Sequence, residues 1–151
     1  MGRDDALKLF VVLNRAATAV TAAAQANVAR HGLSLAEFAA LEALYHKGPL
    51  LVGELQRAVL KSSGGITYLV DRLVEKGLVQ RRPCPGDRRA LYAELTEEGS
   101  DLVDRIFPDH AAALEEAMGA LTPDEQRQAT DLLKRLGLAA ADVARPSPSA
   151  G

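Results

Sequence analysis

The spacing of the apolar residues changes once along this chain, and that change constrains the fold more than any other feature. Through residue 76, apolar side chains recur at intervals of three and four, as on one face of an α-helix. In residues 91–95, leucine and alanine instead alternate with Tyr92 and Glu94, which is the pattern of a half-buried strand. Residues 78–82 are the matching strand, and a loop with two prolines and a glycine joins the two. We therefore predict a mainly α-helical fold with one small β-hairpin.

Start and stop signals divide the rest of the chain into helices. Ser34 and Thr122 each precede a glutamate by three positions, which is the spacing of a capping box at a helix start. Gly137 is expected to end the last helix, and residues 138–151 are expected to be disordered because they have little to bury. Pro108 predicts a kink or a break inside the fifth helix. The predicted helices span about residues 5–30, 34–47, 52–59, 62–76, 97–118 and 123–136.

The composition limits the compartment and the chemistry. A single cysteine excludes an intrachain disulfide and suits a reducing, cytoplasmic environment. The N-terminal apolar run is interrupted by charges at Asp4, Asp5, Lys8 and Arg15, so we expect neither a membrane span nor a signal peptide. The three histidines lie far apart, and no phosphate-binding loop or catalytic motif is present in the sequence. We expect no metal, no cofactor and no enzymatic activity.

The charges of the chain are segregated. The formal net charge is only −2, but residues 56–89 contain eight basic and three acidic residues. That segment therefore has a charge of +5, while the remainder contains ten basic and 17 acidic residues. A basic segment inside an acidic protein is typical of a nucleic-acid contact, although a solvated surface with chance clustering has the same appearance.

The order helix, short turn, helix and hairpin predicts a winged helix-turn-helix, in which the second helix enters the major groove of DNA. An apolar stripe from Ile66 to Leu73 would face the core and leave the other side of that helix exposed. The serines at its start suit a phosphate, although Ser62 also fits an ordinary helix cap, and the glycines allow close approach to DNA. The candidate DNA-contacting residues of this helix are Ser62, Ser63, Gly64, Gly65, Thr67, Tyr68 and Arg72.

The hairpin, called the wing, is the second candidate contact with DNA. An arginine at its tip is expected to enter an A·T-rich minor groove, where the negative potential is strongest. Asp87 is expected to hold that arginine through a bidentate ion pair. A charged, solvated turn is the alternative interpretation of the tip. The candidate residues of the wing are Arg82, Asp87, Arg88 and Arg89.

Two stretches of the sequence, GGITYLVDRLVEKGLVQRRP and DRRALYAELTEEG, resemble the MarR family of bacterial transcriptional regulators. The flanking helices match that family in order and approximate length, so the resemblance covers residues 5–137. It implies one winged-helix domain over residues 1–137, with a DNA-binding lobe at about 48–96. It also implies dimerisation helices at about 5–30 and 97–137.

The resemblance has functional implications as well. It implies an obligate homodimer that binds a pseudo-palindromic operator in double-stranded DNA, usually as a repressor. It implies release of that DNA by a small, often aromatic or phenolic, effector bound between the dimerisation helices and the DNA-binding lobe. By the pattern of the family, Arg89 is the groove-inserting residue and Asp87 is its partner.

Two other functions stay open at this stage. Cys84 lies between Pro83 and Pro85 and near two arginines whose charges favour a thiolate, so the chain would then be a redox-responsive regulator. A tolerated small residue in a variable loop is the simpler interpretation of Cys84. The third possibility is a winged-helix protein-interaction module that does not bind DNA, and the basic segment argues against it.

Overall fold

The computed structural model describes residues 2–59 and 63–146, and for residues 63, 64 and 88 it describes the backbone alone. The described chain is mainly α-helical with a small antiparallel sheet, which confirms the predicted fold class. It divides into two units, residues 1–114 and 115–151. The helices are α1 (Arg3–Ala29), α2 (Leu35–Lys47), α3 (Val52–Val59), α4 (Ser63–Glu75), α5 (Glu97–Ala117) and α6 (Pro123–Ala144). The strands are β1 (Leu50–Leu51), β2 (Val79–Cys84) and β3 (Asp87–Leu95).

The hairpin has the predicted strands, and a third strand was not predicted. β3 pairs with β2 on one side and with the two-residue β1 on the other, both antiparallel. β1 is too short to show an alternating pattern, and it forms because Leu50 lies opposite Ala93. Near the tip the register shifts after Pro83, and Cys84 pairs with Asp87 across a tight connection. Both strands extend further toward the tip than predicted, because Pro83 lies on the edge strand β2, where a proline does not prevent pairing, and Pro85 lies in the turn.

The core of the first unit is built from the apolar stripes of its helices. Its largest fully buried side chains come from α2, α3, α4 and α5, where apolar residues recur at helical spacing. Val79 and Ala93 close the core from the sheet side. These side chains are removed from water within a single chain, so this part of the molecule is stabilised without any partner. The largest of them are Phe38, Leu41, Leu55, Ile66, Leu73 and Ile106.

Both predicted capping boxes are present, and the predicted end of the last helix is wrong. Ser34 and Thr122 each accept the backbone N–H three residues ahead, at 3.1 and 3.2 Å. α6 does not end at Gly137 but continues to Ala144, so residues 138–144 are helical rather than disordered. Leucine and alanines follow that glycine, and their helix propensity outweighs its cost of about 1 kcal/mol. Of the kink or break predicted at Pro108, the break does not occur: α5 is continuous from Glu97 to Ala117, and Ile106 and His110 on either side of the proline are buried.

Thr96 and Gly99 join the end of α4 to the start of α5. The Thr96 hydroxyl donates to the Gly77 carbonyl at 2.7 Å and accepts the Gly99 N–H at 3.1 Å, which confirms the predicted N-cap. Gly99 is buried against Leu78, and a Cβ placed on Gly99 would lie 2.1 Å from the Leu78 carbonyl oxygen. Only glycine fits at this close approach. The close approach therefore explains the glycine of the L-T-x-x-G stretch, which the sequence alone did not explain.

The front of α1, residues 3–23, contains no buried residue. Leu7, Phe10 and Val12 are each more than 60% exposed, and only Ala24, Asn27 and Val28 of this helix are buried. By length and composition alone α1 passes the test for a membrane-spanning helix, although the charges at Asp4, Asp5, Lys8 and Arg15 lie in it; this is weak evidence, because helices of non-membrane proteins pass the same test. Length and composition do not distinguish a membrane span from a helix that packs against another protein chain.

α6, considered by itself, also presents apolar side chains to solvent. None of its residues is buried. Single exposed leucines are common on protein surfaces, but several on one helix are typical of a surface that binds another protein or a membrane. The exposed apolar residues of α6 are Leu132, Leu133, Leu136, Leu138 and Val143.

Candidate nucleic-acid interface

α4 presents the face that the sequence predicted. Ile66, Leu69, Val70 and Leu73 are buried, and this stripe fixes the rotation of the helix about its axis. The opposite face is therefore solvent-exposed. It contains Thr67, Tyr68, Asp71 and Arg72, while Gly65 is half-buried at the start of the helix. Of the remaining predicted residues, Ser62 lies outside the described residues, and Ser63 and Gly64 are described only as the first helical positions.

Tyr68 and Arg72 interact on this exposed face. They are one helical turn apart, and the Arg72 guanidinium lies 5.9 Å from the centre of the Tyr68 ring. Tyr68 is 64% exposed, so its ring and hydroxyl are accessible to a ligand. The stacking restricts the long Arg72 side chain and leaves its N–H groups available to hydrogen-bond acceptors such as a guanine edge or a phosphate.

The tip of the wing is held differently from the prediction. The Asp87 carboxylate accepts the backbone N–H of Arg89 at 2.9 Å, and among the described groups Asp87 forms no ion pair with the Arg89 guanidinium. The bidentate pair predicted between Asp87 and a tip arginine is therefore absent at Arg89, because an aspartate at this turn position binds the backbone two residues ahead. The side chain of Arg88 lies outside the described residues. The Asp87 contact fixes the backbone of the turn. The direction of the Arg89 guanidinium then depends on the rotamer of the Arg89 side chain.

α4 and the wing meet at a cavity of about 380 Å³. Thr67 of α4 and Arg89 of β3 both line it, so the structure brings together two of the residues that the sequence predicted separately. Arg81, which the sequence did not single out, lines the same cavity. Arg89 and the Thr67 hydroxyl at this cavity suit an anionic group. Its full lining is Leu51, Val52, Gly53, Thr67, Arg81, Arg89, Ala90 and Leu91.

Arg82 contacts other residues of the wing itself. Its guanidinium lies 3.5 Å from a carboxylate oxygen of Glu94 and 5.9 Å from the centre of the Tyr92 ring. Arg82 and Tyr92 are directly opposite in the register of the hairpin, and Glu94 lies two positions further along β3. These contacts stabilise the hairpin, and Arg82 is not among the residues that line the cavity shared by α4 and β3.

Arg81 forms an ion pair with Asp71 that sequence reasoning missed. The two residues lie on different elements, β2 and α4, so their contact depends on tertiary structure rather than on a local motif. Charges of opposite sign ten positions apart are common in any sequence, and no periodicity predicts which of them meet.

Cys84 is half-buried in the wing, where its thiol lies 3.7 Å from the Pro85 carbonyl. A hydrogen bond with Cys84 raises the pKa of the Tyr92 phenol. Within residues 2–59 and 63–146, no group of three or more potential ligands is arranged to hold a metal ion.

Comparison with known proteins relates this geometry to a family. Residues 31–90, which include α4 and the hairpin as far as Ala90, match the family model described as MarR family. The transcriptional regulator MhqR of Bacillus subtilis is 43% identical over 89% of this chain and 93% of its own length. Such relatives are transcriptional regulators rather than enzymes, which agrees with the sequence-based expectation.

Two solved structures extend the comparison. Sco3205, a MarR family transcriptional regulator from Streptomyces coelicolor solved in complex with DNA, is 25% identical with a TM-score of 0.83 and covers 97% of this chain and 95% of its own. BpsR of Bordetella bronchiseptica, whose DNA binding is regulated by 6-hydroxynicotinic acid, is 25% identical with a TM-score of 0.79 and covers 86% of this chain and 98% of its own. Together with the 43% identical relative, these findings show that the chain belongs to the MarR family of DNA-binding transcriptional regulators.

Proposed function

We propose that this protein is a cytoplasmic, homodimeric repressor that binds a specific operator in double-stranded DNA and releases it when a small aromatic effector binds. The observation that carries the proposal is the surface shared by α4 and the wing. Thr67, Tyr68 and Arg72 are exposed on α4, and Arg89 lines a common cavity with Thr67. A helix and a cationic hairpin next to each other fit a major groove and the adjacent backbone or minor groove.

The individual residues have different proposed roles on DNA. Tyr68 and Arg72 contact base edges, and Thr67 contacts a base or a phosphate near the start of α4. Arg89 enters the minor groove, and Asp87 fixes the turn from which Arg89 projects. The remaining proposed contacts are to phosphates, and they involve Ser62, Ser63, Gly64, Gly65, Arg82 and Arg88.

The exposed apolar surfaces of α1 and α6 support a homodimer. Phe10 is 66% exposed and Leu138 is 74% exposed, and a single chain leaves both in water. Burial of one such side chain contributes about 1.5–3 kcal/mol, so a second copy that covers several of them gains substantial free energy. A dimer would also present two copies of α4 to the two halves of a pseudo-palindromic site.

The effector site is proposed at a cavity of about 220 Å³ between α2 and α5. Two aromatic rings and an imidazole meet there, with ring centres 5.3 Å apart for Tyr45 and His46 and 6.4 Å apart for His46 and Phe107. The Tyr45 hydroxyl donates a hydrogen bond to Asp104, which raises the pKa of that phenol. Such a lining suits a flat aromatic ligand with a polar substituent. The lining residues are Tyr45, His46, Val103, Asp104, Phe107 and Pro108.

Fluorescence anisotropy with a labelled duplex from the promoter of the protein's own gene tests DNA binding. Arg89→Ala should weaken binding to this duplex at least tenfold without changing the oligomeric state, because a minor-groove contact is lost. Arg127→Ala is the matched control, since Arg127 is an exposed arginine paired with Asp124 on α6. Equal affinities for wild type and Arg89→Ala would contradict the role of the wing, and absence of binding by the wild type would contradict the function itself.

Two alternatives have their own tests. The redox alternative requires Cys84, so loss of an oxidant response in Cys84→Ser would favour it and a full response in that variant would eliminate it. The interaction-module alternative predicts no preference for any duplex over a scrambled one. For the effector, Phe107→Ala should reduce the DNA release caused by small phenols and hydroxy-aromatic acids while leaving affinity for the duplex unchanged.

A further inference from the structure

We propose that the ion pair between Asp71 and Arg81 sets the DNA specificity of this protein by keeping Arg81 away from DNA phosphates of any sequence. The proposal rests on the proposed function, because it concerns the same DNA-binding surface. It assigns roles to two residues that form no part of the DNA-contacting set above. Asp71 and Arg81 are positioning residues that act through the cavity lined by Thr67 and Arg89.

The position of the pair supports this role. Asp71 lies on the exposed face of α4, one turn after Thr67, and Arg81 lies on β2 opposite Ala93 of β3. Their hydrogen-bonded contact is therefore a direct link between the helix and the wing. The side chain of Asp71 is 52% exposed and that of Arg81 is 31% exposed, so the pair lies at the surface where DNA would approach.

The charges near the cavity explain why the pair matters. Without Arg81, the Asp71 carboxylate would be a bare negative charge on the DNA-facing side of α4, and it would repel phosphates. Without Asp71, Arg81 and Arg89 would be two cations in one cavity, and a phosphate of any sequence would be attracted there. The pair cancels both effects. Discrimination then depends on the groups that contact bases, because phosphate contacts contain no sequence information.

A surface ion pair of this kind contributes at most about 1 kcal/mol to folding. Its main effect is therefore expected in the comparison between specific and non-specific DNA. Release of Arg81 adds about one phosphate contact, which should steepen the salt dependence of log K by about 0.9. A phosphate contact can form on DNA of any sequence. It therefore raises the affinity for non-specific DNA by a larger factor than the affinity for the operator.

The test uses the full chain, a promoter duplex that it binds and a scrambled duplex of equal length, titrated at several salt concentrations. Asp71→Asn should raise affinity for the scrambled duplex about three- to tenfold, steepen the salt slope by about one and lower the specificity ratio. Glu75→Gln is the control, because it makes the same charge change one turn later on α4, and Glu75 forms no ion pair with any described residue. Arg81→Gln in the Asp71→Asn background should return the slope to the wild-type value.

The outcomes separate the inference from the proposed function. If the wild type does not distinguish the promoter duplex from the scrambled one, the proposed function fails. If the wild type does distinguish them but Asp71→Asn and Glu75→Gln give the same slope and the same specificity ratio, the inference is overturned. Thermal unfolding of each variant checks for loss of folded protein, and little loss is expected because Asp71, Glu75 and Arg81 are all at exposed positions.

Discussion

Apolar residues are buried in the core of the first unit and exposed on the front of α1. In the core, Phe38, Leu41 and Ile106 are at most 1% exposed, whereas on α1 Leu7 and Phe10 are more than 60% exposed. Both regions are helical and rich in alanine and leucine. The core is buried within one chain, whereas the front of α1 leaves its apolar side chains in water. Helix formation alone therefore does not predict what the apolar face of a helix packs against.

The largest expected effect is on the stability of the core region. Gly99→Ala should lower the free energy of unfolding by about 3 kcal/mol, because its Cβ would lie 2.1 Å from the Leu78 carbonyl oxygen and α5 would have to move. Gly53→Ala in α3 is the control, since nothing lies within 4 Å of its Cβ, and it should be neutral or slightly stabilising. Urea unfolding followed by circular dichroism measures both variants, and equal stabilities would contradict the close approach.

The next effect distinguishes the front of α1 from the core. Phe10→Glu should raise the dimer dissociation constant about 100-fold, because burial of one large apolar side chain contributes about 2–3 kcal/mol. The free energy of unfolding of the isolated chain should change little, since Phe10 is 66% exposed within it. Leu91→Glu on the wing is the control and should leave the dimer intact. Sedimentation equilibrium measures association, and an unchanged dimer in Phe10→Glu would sink the assignment of α1 to the interface.

A smaller effect tests the polar link between α2 and the end of α4. Lys76 donates to the Glu37 carboxylate at 2.7 Å, and Glu37 is only 5% exposed. Burial alone would raise the pKa of Glu37, but the hydrogen bonds from Lys76 and Ser34 lower it below its ordinary value. Lys76→Ala leaves a buried carboxylate unpaired and should cost about 2 kcal/mol. Lys47→Ala, at an exposed position of α2, should cost less than 0.5 kcal/mol in the same unfolding measurement.

The smallest effect concerns the attachment of α1 to α5 and its dependence on pH. Asp109 accepts hydrogen bonds from His31, Arg30 and Asn27, and these lower the pKa of its carboxyl below the ordinary value of 3.8. A lowered pKa in the folded state means that the stabilisation is complete above pH 3.8 and is lost as the pH falls through the folded value. Asp109→Asn should therefore flatten the decrease in stability below pH 4. An unchanged slope in thermal unfolding between pH 2.5 and 5 would show that the cluster does not link folding to protonation.

Sequence reasoning succeeded where a feature depends on local chemistry. The buried stripe of α4 follows from helical periodicity, and the caps at Ser34 and Thr122 follow from side-chain and backbone groups three residues apart. It failed where tertiary contacts decide. The pair between Asp71 and Arg81, the cavity shared by Thr67 and Arg89, and the strand β1 all depend on segments that meet only in the folded chain.

Two local rules were also overridden by their surroundings. Gly137 resembles a helix stop, but the residues after it favour helix and the glycine stays inside α6. Asp87 and Arg89 resemble an ion pair, but a backbone N–H two residues ahead is nearer to the carboxylate than the flexible guanidinium. The DNA-contacting residues themselves stay predictions: burial of the opposite stripe shows which face of α4 is exposed, and DNA binding by the variants tests each contact.

The stoichiometry of the protein–DNA complex is the most direct test of the proposed dimer and of its half-site binding. Sedimentation velocity or native mass spectrometry of the protein with its promoter duplex should give two chains on one duplex, because the proposal has the exposed apolar helices form a dimer in which each copy of α4 binds one half-site. The same two chains should remain associated without DNA. One chain per duplex, or a monomer that binds the duplex equally well, would contradict the assignment of the apolar helices to dimerisation and of α4 to half-site binding.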